Sequence, residues 1–194
     1  MATESEQGLE TRVVKVERLT EEAFAPFGEV LAAEGQRRSI DLYGSTIDVF
    51  SAGRVDSDVE VDIFMSRSSI REFRVHFLER HMLLAQMFVP LGGTPFIVVV
   101  GRPNAEEDEN GIPLVSEIRS FFVPGDTAVT IHRGTWHEPP FPLADDSLRL
   151  TTTHAALTTG LESKLNEHGE INQNDVEKRN VTARSGYVLR LELP

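Results

Sequence analysis

The sequence predicts an all-β protein, a sandwich or a barrel, and three observations carry that prediction. Short runs rich in β-branched and aromatic residues recur along the chain. Gly, Pro or Asp stand between them at near-regular spacing. No long helical pattern intervenes. Many short strands without helices between them make a sandwich or a barrel.

The elements follow in order. Residues 1–10 are polar and are expected to be frayed. Thr11 to Val16 reads as a strand. Thr20 then offers a side-chain oxygen ahead of Glu21 and Glu22, which marks a helix start. Pro26 and Gly28 limit that helix to a turn or two. Strands are expected over Thr46–Phe50, Val59–Met65, Glu72–Leu78, Leu83–Val89, Pro95–Val100, Glu117–Val123, Ala128–Ile131 and Leu148–His154. Tyr187 to Leu193 alternates as a final strand should. The acidic segment Gly101 to Ser116 reads as an exposed hairpin loop, and Asn166 to Asn180 as a polar connection. Both are expected to be solvated surface. There is no internal repeat, and residues 11–194 are expected to form one domain with a C-terminal extension from about residue 158.

Composition narrows the function. With 194 residues, 40% hydrophobic and 26% charged, the chain is globular rather than disordered. Such a length buries roughly 70% of the unfolded surface and needs no staple to fold. It has no cysteine, which excludes thiol nucleophiles, iron–sulfur clusters and a disulfide scaffold and fits a reducing, cytoplasmic setting. A net charge of −12 with no basic run argues against nucleic acid as a partner. The start of the chain does not read as a signal peptide. The longest apolar run, Phe96 to Val100, is too short to span a membrane.

The chemistry-bearing residues fall in two segments, Val75–Gly93 and Val123–Pro139. Side chains on a strand alternate faces, so Glu79 and His81 point the same way and Arg80 points the other. Gln86 lies on the next strand. Gly134 can break the pleat after Ile131 and turn His137 toward the same interior. A carboxylate, an amide and two imidazoles would then converge, a set suited to nickel, manganese, zinc or iron. Trp136 reads as core or pocket wall. His168, in a polar stretch, is given no role.

The layout resembles the two cupin motifs. Glu79, His81, Gln86 and Gly93 stand at the positions of the first motif, and His132, Gly134 and His137 at those of the second. More closely, the sequence resembles the ureidoglycolate lyase family. The resemblance rests on Leu19–Val30, on Glu79-Arg80-His81 with Gln86 and Pro90, and on the run His132 to Pro139. It covers roughly residues 14 to 157. Two stretches depart from the family pattern, Ile40–Thr46, where an Asn-containing motif is usual, and Thr153-His154, where an Asp-Arg pair is usual.

The resemblance implies a cupin-type double-stranded β-helix, or jelly-roll barrel, with a short N-terminal helix. It implies cleavage of ureidoglycolate, a small carboxylate, into glyoxylate and urea, and a homodimer. In that reaction Glu79, His81, Gln86 and His137 would hold a divalent metal, and no organic cofactor is expected. His132, His137 and His154 would serve as catalytic acid–base groups. Arg133, Trp136 and Gln86 would contact the substrate. Two other readings stand beside it, a cupin-fold hydrolase or isomerase for another small oxo-acid, and a non-catalytic small-molecule-binding cupin.

Overall fold

The computed structural model describes residues 8–32, 38–42, 46–50, 52–103, 105–107, 110–154, 164–173 and 175–194. The expected departure at Ile40–Thr46 lies partly outside them, as does the start of the C-terminal extension. The protein is mainly β. A nine-stranded sheet runs in the order β14 (Ile171–Asn172), β15 (Val176–Asn180), β7 (Phe77–His81), β12 (Trp136–Pro142), β9 (Phe96–Gly101), β10 (Ile118–Val123), β1 (Glu10–Arg18), β16 (Tyr187–Glu192), β6 (Arg74–Val75). A five-stranded sheet runs β2 (Gly28–Leu31), β11 (Ala128–Ile131), β8 (Gln86–Leu91), β13 (Ser147–His154), β5 (Val61–Ser68). β3 (Arg38–Leu42) and β4 (Ile47–Phe50) form a separate pair.

The apolar run on β9 is continuous because both of its faces are buried. Phe96, Val98 and Val100 point between the two sheets and pack with Phe88, Phe121, Val129 and Ile131. Ile97 and Val99 point to the opposite side and join a second core with Leu78, Trp136, Phe141 and Leu189. The one-turn helix α1 (Glu21–Phe24) starts where expected, with the Thr20 hydroxyl accepting from the Ala23 amide at 3.1 Å. Its Phe24 ring meets Phe121 edge-on and plugs the inter-sheet core. Gly28 follows because a Cβ there would stand 1.9 Å from the Thr130 carbonyl oxygen.

Three expectations are corrected. Fraying does not reach residue 10, since Glu10 already pairs with Tyr187 at the start of β1. The segment 101–116 is not simple solvated surface. Ile112 is fully buried in the second core, Glu107 bridges to Pro113, and Val115–Glu117 forms a 3-10 turn. Asn166–Asn180 is not a mere connection either. It supplies β14 and β15, and β15 pairs with β7 along its whole length. Polar residues suffice there because the ladder is held by backbone hydrogen bonds and by the few inward apolar residues, Ile171 and Val176.

The tail is tied down by Glu170. Its carboxylate accepts from Arg184 on the short helix α2 (Val181–Ser185), from the Asn180 amide at 2.9 Å and from the Asn166 side chain. The Arg184 hydrogen bond leads in holding its pKa down to about 2. A depressed carboxylate supports folding above its ordinary value of 4.5 and loses that support as pH falls toward 2. Glu170→Gln is expected to lower stability at pH 7 by about 2 kcal/mol. In thermal melts the difference from the parent protein shrinks as pH drops below 4.5.

Candidate functional site

Local backbone geometry assembles the site. Gly134, at φ 75°, makes the turn between β11 and β12, and its amide donates to the His81 carbonyl at 2.7 Å. That bond stitches the turn to the end of β7. β12 then runs antiparallel to β7 with His137 opposite Glu79. Alternation sends Glu79, His81 and His137 to one face, and Gln86 reaches them from the facing sheet.

One ligand atom from each of Glu79, His81 and His137 lies within 4.8 Å of the others. The Gln86 amide nitrogen lies 3.4 Å from His81 Nε2. The sequence-predicted set is therefore brought together. His137 is fixed by its Nδ1–H, which donates to the Thr135 carbonyl at 3.0 Å and leaves the Nε2 lone pair facing Glu79 at 3.6 Å. Burial pushes the His137 pKa down to about 4, with Glu79 pulling it up and His81 pushing it further down. The imidazole is thus a neutral ligand or base at pH 7. His81 Nδ1, Gln86 Oε1 and His137 Nε2 are buried without a hydrogen-bond partner among the described residues. Unpartnered imidazole nitrogens and an amide oxygen in a cluster with a carboxylate fit a borderline divalent metal.

Glu79, His81 and Gln86 line one wall of a cavity of about 450 Å³ between the sheets, and His137 is buried beside them. Phe64, Phe88, Pro140, Ile171 and Val176 supply apolar walls, and Thr151 and Thr153 supply hydroxyls. Three cations border it, Arg71, Arg149 and Lys178. Sequence reasoning missed all three. Lys178 sits in the polar stretch taken for surface, yet it pairs directly with Glu79 across β15 and β7. A second depression, about 590 Å³, lies beside α1 and holds Glu21, Glu29 and Arg54 but none of the clustered imidazoles.

Four further expected site residues belong neither to the cluster nor to the cavity lining. His132 follows Ile131, whose side chain faces the inter-sheet core, so alternation turns His132 away, and its amide is held by the Phe27 carbonyl. Arg133 is occupied by Asp56 and Asp58 at the surface. Trp136 lies on the face of β12 opposite His137, fully buried in the second core with Arg80 stacked on its ring at 4.2 Å. His154 shares the face of Thr152 rather than of the cavity-lining Thr153, and its Nδ1 lies 2.7 Å from Asp175 Oδ2. The same Asp175 accepts from the Leu83 amide, so this pair clasps the tail to the β7–β8 connection. On β12, buried Glu138 is pushed up to about 7 by burial, against the pull of Arg71.

A small, mostly apolar cavity with an acid–imidazole cluster on its wall has the make-up of an enzyme site for a small polar molecule. Comparison with known proteins narrows this class. A family model for ureidoglycolate lyase matches residues 11–184, and the chain belongs to that family. The ureidoglycolate lyase of Azotobacter vinelandii is 36% identical over 140 residues, which cover 70% of this chain and 81% of that one. The ureidoglycolate lyase of Brucella anthropi is 35% identical over 152 residues, 76% of this chain and 86% of that one. Among solved structures, RmlC from Streptococcus suis in complex with dTDP-D-xylose overlaps with a TM-score of 0.29 at 10% identity, over 60% of this chain and 62% of that one.

The clasp role of His154 is open to test. His154→Ala is expected to lower stability by about 1–3 kcal/mol, because a partly buried hydrogen bond to a carboxylate is lost. The ring NMR signals of His81 and His137 should stay in place.

Proposed function

We propose that this protein is a carbon–nitrogen lyase that splits ureidoglycolate into glyoxylate and urea. The observation that carries the reading is the cluster of Glu79, His81, Gln86 and His137, three of whose members line one cavity, in a chain of the ureidoglycolate lyase family. Glu79, His81, Gln86 and His137 would hold a divalent ion, which when bound polarises a ligand's hydroxyl and carboxylate oxygens and lowers the hydroxyl pKa.

The chain's own groups carry the protons. The Glu79 carboxylate takes the proton of the carbinol hydroxyl as the carbon–oxygen double bond forms. The carbon–nitrogen bond breaks, and its electron pair goes to the leaving nitrogen. Lys178, opposite Glu79 in the strand register and in the cavity lining, gives that nitrogen a proton from its ammonium and completes urea. Glu79 then gives up its proton and Lys178 regains one through solvent, so the cycle closes without net proton change. The apolar walls from Phe64, Phe88, Ile171 and Val176 limit water around the reacting groups.

No helix of the described residues is long and apolar enough to cross a membrane. A cytoplasmic setting is part of this reading, supported by the absence of cysteine. So is a homodimer. β5 is an edge strand of its sheet, and Ile63 and Met65 on its outer face are 68% and 65% exposed. Register places Leu150 and Val89 in line with Met65, so the apolar stripe crosses three strands. A second copy would cover this face and its open edge.

Incubation with ureidoglycolate should release glyoxylate and urea in equal amounts. Glu79→Gln should cut kcat by about 10²–10⁴, the usual worth of an acid–base group. Release of neither product by the parent protein overturns the reading. Elemental analysis should find a divalent metal that is lost in His137→Ala. In analytical ultracentrifugation the parent protein should sediment as a dimer, and Met65→Asp should shift it toward monomer.

A further inference from the structure

A buried cation with an unused hydrogen-bond donor lies in the same cavity. Arg149 projects from β13 between Ser66 on β5 and Pro90 on β8, and its side chain lines the cavity. It is 4% exposed. One terminal nitrogen, Nη2, donates to the Ser68 hydroxyl. The other, Nη1, is buried with no partner among the described residues. Leaving a buried guanidinium N–H unmatched is costly, and more so without a counter-charge.

The neighbouring cation does not relieve this. Arg71 borders the same cavity but spends its own donors elsewhere. Its Nη1 donates to Glu138 at 3.0 Å, its Nη2 to the Pro139 carbonyl at 2.7 Å, and its guanidinium stacks on Phe141 at 3.6 Å. Burial, and then the positive charge of Arg71, both disfavour the charged form of Arg149. An anion between them would remove both penalties. The hydroxyls of Ser66 and Ser68 line the same part of the wall. The flat guanidinium edge matches a carboxylate in shape as well as charge.

We propose that Arg149 is the carboxylate-binding group of this cavity, forming a subsite for the carboxylate of a small 2-hydroxy or 2-oxo acid. The assignment rests on the lyase reading for its choice of ligand. It replaces Arg133, whose donors are taken by Asp56 and Asp58. A residue that holds the carboxylate in ground and transition state alike acts chiefly on KM.

The test is calorimetric titration of the full chain with glyoxylate, with urea as the uncharged control. Arg149→Met should weaken glyoxylate binding by about tenfold or more and raise KM for ureidoglycolate more than it lowers kcat. Arg149→Lys should restore part of the loss, and urea binding should not change. A folded Arg149→Met protein that binds glyoxylate within about twofold of the parent overturns the proposal. If Arg149→Met does not fold, Arg149→Lys and Ser68→Ala decide, and unchanged glyoxylate affinity in both overturns it. If the parent releases no urea yet binds glyoxylate in an Arg149-dependent way, the lyase reading fails and the subsite stands. If the parent cleaves ureidoglycolate and neither glyoxylate affinity nor KM depends on Arg149, the lyase reading stands and the subsite fails.

Discussion

The antiparallel pairing of His137 with Glu79 is the constraint on which the rest of the site depends. Two strands distant in sequence meet at this register, and a slip of one residue would send His137 to the far core and Trp136 into the cavity. The register is held from two sides. The Gly134 amide ties the turn to the end of β7, and the Thr135 carbonyl fixes the His137 ring. Trp136, locked in the second core under Arg80, anchors the opposite face. Its contribution to the site is indirect and lies in packing.

The C-terminal segment completes the cavity. β15 pairs with β7 along the strand that carries Glu79 and His81, and it places Lys178 beside Glu79. The Glu170–Arg184 pair and the His154–Asp175 pair secure the two ends of that segment. Stability and chemistry are thus coupled through one strand. Loosening the tail would open the apolar wall formed by Ile171 and Val176 and move Lys178 in the cavity lining.

Much of this was legible in the residues. The alternation of Glu79, Arg80 and His81, and the glycine break before His137, gave the cluster from local pattern alone. The apolar run within Pro95–Val100 marked a strand. Other parts rest on pairings that no local window contains. Lys178 stands in a polar stretch whose partner, β7, lies about a hundred residues earlier. Arg149 stands among ordinary alternating residues, and its lack of a partner is visible only once Arg71, Ser68 and Phe96 surround it. His132, Arg133 and His154 had the right chemistry for the reaction but the wrong strand parity or a nearer acidic partner. Residue type suggested them, and geometry removed them.

Metal binding at the cluster is tested by an anomalous-scattering map of crystals grown with added Ni²⁺ or Zn²⁺, recorded at the metal's absorption edge. One strong peak bounded by Glu79, His81, Gln86 and His137 is expected. A map without density there, or with its main peak at the His154–Asp175 pair, would contradict it.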